Sequence, residues 1–292
     1  MNLAFLQTFL AVVAAGNLNR AADTLHVTQS TVTARINTLE DQLGQSLLKR
    51  SKAGTAMTSA GFKFQRYAEL IMQAWQQAKH EIALPESCDT VCNIGCHFDL
   101  WAGVGQAWFD GVRKAHPEVA LSAWGGEQAE IDRWLASGLI DVAICHRPAG
   151  GDSTFTRHLF DDRIVLVTSE SSTDMKPYPG PPHLYVDLGQ DFRRRHAAAY
   201  PEAKAAALIF GTASWALGHM LDNPATGYLP MSLAAPHLAD GSLRLVENAI
   251  AFARAVYLVG DAGRIGDWPW FDSAADDLAT AGAAVQSRPS HS

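Results

Sequence analysis

The stretch VTQSTVTARINTLEDQLG, from Val27 to Gly44, constrains this chain more than any other. Val32, Ile36, Leu39 and Leu43 recur at i, i+4, i+7 and i+11, which predicts a helix with one buried stripe. Thr28 precedes it as a cap, since its hydroxyl can accept from a first-turn N–H. Projected at about 100° per residue, Ser30, Ala34 and Asn37 point away from the stripe, and Thr31 and Thr33 flank them. That exposed face is short and neutral only at the start of the helix; Glu40 and Asp41 follow further on. A helix that enters a DNA major groove by its N-terminal end needs such a face. Long acidic side chains would repel phosphate, and bulky ones would hold the backbone away from the bases. Ser and Thr hydroxyls can exchange hydrogen bonds with base edges, an alanine methyl can meet a thymine methyl, and the amide of Gln29 suits adenine. Arg35 on the flank is placed for a phosphate.

The flanking sequence supports that reading. Leu3, Leu6, Leu10 and Val13 fit one helix, which Gly16 stops, and Asn17 and Asn19 are candidate caps for a second, RAADTL. Small Ala21 and Ala22 let two helices approach closely, and helix, tight turn, helix is a DNA-binding plan. Next, LLKRSKAGTAMT reads as a β-hairpin around KAG, a wing carrying Lys49, Arg50 and Lys52. Those three, with Arg20 of the second helix, are candidate phosphate contacts. Residues 1–84 hold eight Lys/Arg against five Asp/Glu, a net +3, whereas the remainder holds fifteen against twenty-five, a net −10. An anionic partner is therefore expected for the N-terminal piece alone.

From Ser59 to Leu84 runs a single helical pattern in which Phe64, Tyr67, Ile71, Ala74 and Ala78 form a seam of heptad type. A helix this long with nothing close in sequence to cover it predicts pairing with a second copy, the alternative being packing on its own domain. Pro85 ends it, and PESCD is a hinge. Beyond the hinge, TVCNIG, VALSAW, DVAIC, RIVLVT, LYVD, ALIFG and RAVYLVG are strand candidates. LWAGVGQAWFDGVRKAH and EQAEIDRWLASG are helices between the first three. Strands alternating with helices predict an α/β domain with mainly parallel sheets.

Several function classes drop out. No apolar run reaches the roughly 18 residues of a membrane span, and the N-terminus lacks a secretion signal, so a cytoplasmic protein is expected. The cysteines Cys88, Cys92, Cys96 and Cys145 make no disulfide framework in a chain of 292 residues. HEIAL starts like a zinc-protease helix, but Leu84 stands where the second histidine belongs. GVGQAW carries Trp108 in place of the third glycine of a dinucleotide fingerprint. No G-x-S-x-G elbow occurs, and GTASWALG lacks its spacing. No catalysis and no cofactor are expected; a cytosolic α/β enzyme with an accessory helical module is the weaker reading. Cys92, Cys96, Cys145 and His146 give one further alternative, a metal- or redox-sensing site, since strands could bring thiolates and an imidazole together.

AADTLHVTQS, followed by INTLEDQLG, LLKR and MTSAG, resembles the winged helix-turn-helix and linker helix of LysR-type transcriptional regulators. GLIDVAI and TGYLP resemble markers of that family's effector domain. Ser30 departs from the family's usual proline and Thr31 from its frequent alanine; both suit a helix start. The resemblance implies a mainly α/β protein in three parts. These are a winged helix-turn-helix over residues 1–58, a dimerisation helix over 59–85, and a two-lobed effector domain over 86–292. The first lobe would hold about 88–162 plus 261–292, and the second about 163–260. Double-stranded DNA, a small-molecule effector and a homodimer or homotetramer are the implied partners, with no membrane. Ligands of such domains sit at strand C-terminal ends. That implies a mouth formed by His97, Phe98, Asp99, Trp101, Gln128, His146 and Arg147 from the first lobe, with Thr212, Ser214 and Gly227 from the second. Arg147 and His146 would hold a carboxylate, which makes an organic acid the expected effector. A regulator or antagonist that needs no ligand is the alternative.

Overall fold

The computed structural model describes residues 2–51, 54–85, 87–88, 90–148, 150, 153–170 and 183–287. Two compact units divide it, Met1–Leu84 and Pro85–Ser292.

In the first unit, α1 (Leu3–Ala15), α2 (Leu18–Leu25) and α3 (Gln29–Leu43) precede the hairpin of β1 (Leu48–Ser51) and β2 (Gly54–Met57), and α4 (Ser59–Ile82) follows. Each helix begins on a side chain that takes up orphan N–H groups: Asn2, Asn17, Thr28 and Thr58 accept from Ala4, Asn19, Thr31 and Gly61. Gly16 and Gly44 end α1 and α3 at φ of 63° and 65°, where a side chain would be strained. The core joins Leu6, Phe9 and Val12 of α1, Ala21 and Ala22 of α2, Val32, Ile36 and Leu39 of α3, and Ala68 of α4. Burying each of the large ones contributes about 1.5–3 kcal/mol. Leu43 does not join its stripe; it is 41 % exposed, because the helix ends there and the core has already closed. Glu40 belongs to the wing junction rather than to solvent, with its Oε1 accepting from Leu47 and Leu48 N–H at 2.6 and 3.0 Å.

The second unit opens with β3 (Thr90–His97), α5 (Phe98–Leu100), a π-helical turn (Trp101–Gly105) and α6 (Gln106–Ala115). Next come β4 (Val119–Gly126), α7 (Gln128–Ser137), β5 (Val142–Cys145) and β6 (Thr154–Thr168). Then follow β7 (Leu184–Val186), α8 (Gln190–Ala199), β8 (Leu208–Phe210), α9 (Ala213–Asp222), β9 (Thr226–Pro230) and α10 (Met231–Ala239). The chain continues through β10 (Arg244–Leu245), β11 (Phe252–Asp261), α11 (Ala262–Ile265) and α12 (Phe271–Gln286). The main sheet has the order β10-β6-β11-β5-β3-β4, with β9 also on β6, while β7 and β8 pair separately.

A mainly parallel sheet is not what forms. β3 pairs in parallel with β4 and β5, but β6 and β11 run antiparallel to each other and to every further neighbour they have. The reason lies in the return path: the chain leaves the first α/β layer along β6 and comes back along β11, and a returning strand beside an outgoing one must oppose it. One core gathers Cys92, Ile94, Val142, Phe160, Val256 and Leu258; another gathers Ile164, Leu166, Leu184, Phe192, Tyr228 and Phe252. The change of core falls inside β6 and β11. At the crossing, Asp162 stands in register with Arg254.

Candidate functional site

Two regions bring the sequence-derived candidates together. The first is the start of α3. Thr28, Gln29, Ser30, Ala34 and Asn37 are exposed, and Thr31 and Thr33 are half-buried. The Thr28 hydroxyl lies 2.8 and 2.9 Å from those of Ser30 and Thr31, a cluster of hydroxyls at the helix's N-terminus. Thr33, Asn37 and Glu40 line a groove of about 230 Å³ with Leu18, Ile36, Leu48 and the wing's Thr55. Arg20 and Lys49 are exposed on α2 and β1; Lys52 and the side chain of Arg50 lie outside the described residues. Arg35 does not face outward with them. It is half-buried, and its Nη1 donates across 3.4 Å to the hydroxyl of buried Thr8 on α1.

The heptad seam of α4 divides. Phe64 packs edge-on against Phe9 at 5.4 Å, and Phe64 and Ile71 cover the first unit's core. Tyr67 and Ala74 are exposed and Ala78 is half-buried, beside exposed Trp75 and Ile82. The lone-helix reading left out α1, which takes one side of the stripe.

The second region lies where β3, β5 and β11 meet α9. His97 ends β3 and caps α5, its Nδ1 accepting the Asp99 N–H at 3.3 Å. Asp99 is buried. Its Oδ1 accepts the Ala213 N–H, at the start of α9, at 2.9 Å, and its Oδ2 accepts from Arg254 Nη2 at 3.2 Å. Arg254 Nη1 donates to the Leu188 carbonyl at 2.9 Å, so one guanidinium ties the crossing strand to both cores. The His146 ring meets the His97 ring edge to face at 4.7 Å. Its Nδ1 lies 3.2 Å from the Ala255 carbonyl, and a carbonyl can only accept, so Nδ1 carries the proton and Nε2 the lone pair. That Nε2 is buried without a hydrogen-bond partner among the described residues. Glu127 Oε2 sits 3.5 Å from His97 Nε2 on the exposed rim. Burial holds the His97 imidazole below its usual range despite Asp99. Burial, then Arg254, hold His146 well below it, so both rings are neutral at neutral pH.

Other candidates take different places. Thr212 caps α9, accepting the Trp215 N–H, and half-buried Ser214 lies in the first turn of that helix. Gln128 begins α7 and takes the His146 N–H on its Oε1 at 3.2 Å, a positioning role. Phe98 is 43 % exposed, with its ring against Gly125. Arg147 stands apart from this cluster: the chain turns outward after Cys145, and Arg147 pairs with Asp132 at 3.0 Å, its side chain 65 % exposed. Trp101 packs on Phe109 against the first core. Gly227 lies within β9, where a Cβ would come 2.5 Å from Leu184 Cδ1, so it serves packing. The thiols of Cys92, Cys96 and Cys145 sit in the cores, and burial pushes all three up, away from the thiolate a metal or an oxidant needs.

Arg254 escaped the sequence reading. RAVYLVG placed it at a strand start; the strand begins at Phe252, which makes Arg254 an interior strand charge. A cation inside an apolar strand was the available signal.

Two family models match the chain: "Bacterial regulatory helix-turn-helix protein, lysR family" over residues 3–62 and "LysR substrate binding domain" over residues 91–266. The HTH-type transcriptional regulator HdfR of Escherichia coli O17:K52:H18 is 28 % identical over 265 residues, covering 89 % of this chain and 91 % of that one. Among solved structures, CbnR, a LysR family transcriptional regulator, has a TM-score of 0.69 at 17 % identity, covering 97 % and 99 % of the two chains. ArgP from Mycobacterium tuberculosis has a TM-score of 0.53 at 24 % identity, covering 96 % of each. These two likenesses bear on the fold. With its capped helix-turn-helix, its wing and its two-core α/β unit, the chain belongs to the LysR family of bacterial transcriptional regulators.

Proposed function

We propose that residues 1–58 hold operator DNA, with Gln29, Ser30, Thr33, Ala34 and Asn37 against bases and Arg20, Lys49, Arg50 and Lys52 against phosphates. The exposed stripe of Tyr67, Ala74, Trp75, Ala78 and Ile82 on α4 pairs two copies. Residues 86–292 sense a small molecule beside His97, Asp99, His146, Thr212, Ser214 and Arg254, and the chain acts in the cytoplasm without catalysing a reaction. The relatives support this division of labour: one solved structure is described as full-length CbnR complexed with target DNA. No helix among the described residues is long and apolar enough to cross a membrane.

The observation that carries the sensing role is the bridge at Asp99. A single buried carboxylate accepts from α9 with one oxygen and from the crossing strand's Arg254 with the other. A ligand competing for either contact has a different affinity for the two arrangements of the lobes, which is what a regulatory ligand requires. Arg254 Nε and His146 Nε2 are both buried without a hydrogen-bond partner among the described residues, so the place offers one donor and one acceptor, and a ligand carrying a carboxylate beside an N–H group, such as an amino acid, fits it. The test is a thermal-shift screen of the intact chain against amino acids, amines and carboxylates, followed by DNA binding with each hit. A hit that shifts DNA affinity in the parent and not in Arg254→Ala supports the reading. Hits that act equally on both sink it and favour a regulator that needs no ligand at this place.

A further inference from the structure

The cluster where β3, β5 and β11 meet α9 holds chemistry that its polar contacts leave unused. We propose that His97, Asp99 and His146 form a binding site for a divalent transition-metal ion of the zinc, nickel or copper class, with Glu127 at its open side. Each of the three residues offers one donor atom, and those atoms lie within 4.8 Å of one another. Two imidazoles and a carboxylate are the donor set such ions take, with a fourth position left for water or a further ligand.

Two features of the cluster go beyond proximity. The first is His146. A metal-ligating histidine characteristically donates one ring N–H to a carbonyl, which fixes its tautomer and aims the other nitrogen's lone pair at the ion. His146 has this arrangement: Nδ1 is held by the Ala255 carbonyl at 3.2 Å, and Nε2 is buried and unpartnered. A bound ion would give that buried acceptor the partner it lacks. The second is room to close. Metal–ligand bonds of about 2.0–2.2 Å put tetrahedral donors roughly 3.4 Å apart, so the cluster needs a contraction of about an ångström, within reach of small rotations of the two rings. Glu127 Oε2, 3.5 Å from His97 Nε2 on a 62 % exposed side chain, can swing onto the ion as a second carboxylate.

Arg254 opposes a cation here, and that opposition gives the site a consequence. Asp99 Oδ2 cannot serve the ion fully while it accepts from Arg254 Nη2 at 3.2 Å. An ion that takes this oxygen loosens the contact between the end of β3 and the crossing strand. Asp99 Oδ1 stays on the Ala213 N–H, so the carboxylate remains anchored while it changes partner. The cysteines take no part, since Cys92, Cys96 and Cys145 are buried within the apolar cores. The proposal is independent of the organic ligand proposed above, because metal occupancy is read directly rather than through DNA.

The experiment uses the intact, untagged chain stripped of metal and titrated with Zn²⁺ and, for its spectrum, Co²⁺. The expected result is one saturable equivalent per chain and a raised Tm. The visible Co²⁺ band should be of nitrogen–oxygen type, without the near-ultraviolet charge-transfer band of thiolate ligation. His146→Ala and His97→Ala should each weaken binding more than about tenfold, while Cys145→Ala, Cys92→Ala and Arg147→Ala leave it unchanged. His146→Gln, which keeps volume and polarity, stands in should the alanine variant fail to fold. No saturable binding by the parent, a thiolate band, or binding by a folded His146 variant equal to the parent's would each overturn the proposal.

Discussion

Arg254 on β11 donates to Asp99, two residues beyond the end of β3, across 3.2 Å, and both side chains are largely buried, at 15 % and 4 % exposed. The pair closes the point where the sheet changes cores, because the same guanidinium also serves the Leu188 carbonyl. Removing one partner of a buried ion pair strands the other charge. Arg254→Ala is therefore expected to destabilise the intact chain by about 3 kcal/mol or more, read from urea unfolding. Arg254→Lys should recover only part of this, since an ammonium cannot span both acceptors as a planar fork does.

Arg147 is the contrasting case. Its pair with Asp132 is exposed on both sides, and exposed pairs are worth about 0–1 kcal/mol. Arg147→Ala should leave the unfolding midpoint nearly unchanged and leave any ligand response intact. A loss of response would return Arg147 to the ligand site.

The division of the α4 seam separates two outcomes that a symmetric seam would merge. Ile71 is half-buried over the first unit's core, so Ile71→Asp should lower stability by about 1–3 kcal/mol, by setting a charge against that core. Tyr67 and Trp75 are exposed, at 50 % and 47 %. Tyr67→Asp with Trp75→Asp should leave unfolding little changed and reduce the sedimenting mass of the assembly. An unchanged mass would show that this stripe joins no second copy.

Asp162 sets a pH dependence. Burial raises its pKa above the ordinary value of 3.8, although Ser232 and Gln286 donate to it. The folded chain then binds this proton more tightly than the unfolded chain does. Its contribution to stability is fully present below 3.8 and is lost as pH rises through the higher folded value. Replacing it by Asn removes a group that titrates in that window. Denaturant midpoints measured upward from about pH 4 should fall less steeply in Asp162→Asn than in the parent; parallel slopes would contradict the assignment.

Much of the first unit was legible because its signals are local. Caps at Asn17 and Thr28, the small pair Ala21 and Ala22, and the Val32–Ile36–Leu39 stripe each act within a few residues of themselves. What depends on a distant partner was not legible. Leu43 looked like a core position because periodicity cannot see where a core ends. Arg35 looked outward because Thr8, which receives it, lies 27 residues away. In the second unit the strands were readable as apolar runs, but their directions were not, since direction follows from where β6 and β11 return. The same ignorance exchanged two arginines. Arg147, next to a strand end, looked functional and turned to solvent. Arg254, inside a strand, looked like its boundary and is the buried partner of Asp99.

The face of α3 carries the central claim. Thr33→Ala should change preference at one base pair and cost about 1–3 kcal/mol on the best site. Arg20→Ala and Lys49→Ala should weaken all sequences alike and flatten the salt slope by about one unit each. Arg35→Ala should act first on stability, through Thr8, which a melt of the variant without DNA would register.

The most direct measurement is capture of genomic fragments by the intact chain and by Gln29→Ala/Thr33→Ala, at matched salt, with sequencing of what is bound. The account predicts that the parent enriches discrete sites sharing one sequence with two-fold symmetry. The double variant, equally folded, should lose or redirect that preference while still binding DNA. Enrichment of the same sites by both proteins, or a featureless spread with the parent, would contradict the claim that the short neutral start of α3 reads bases.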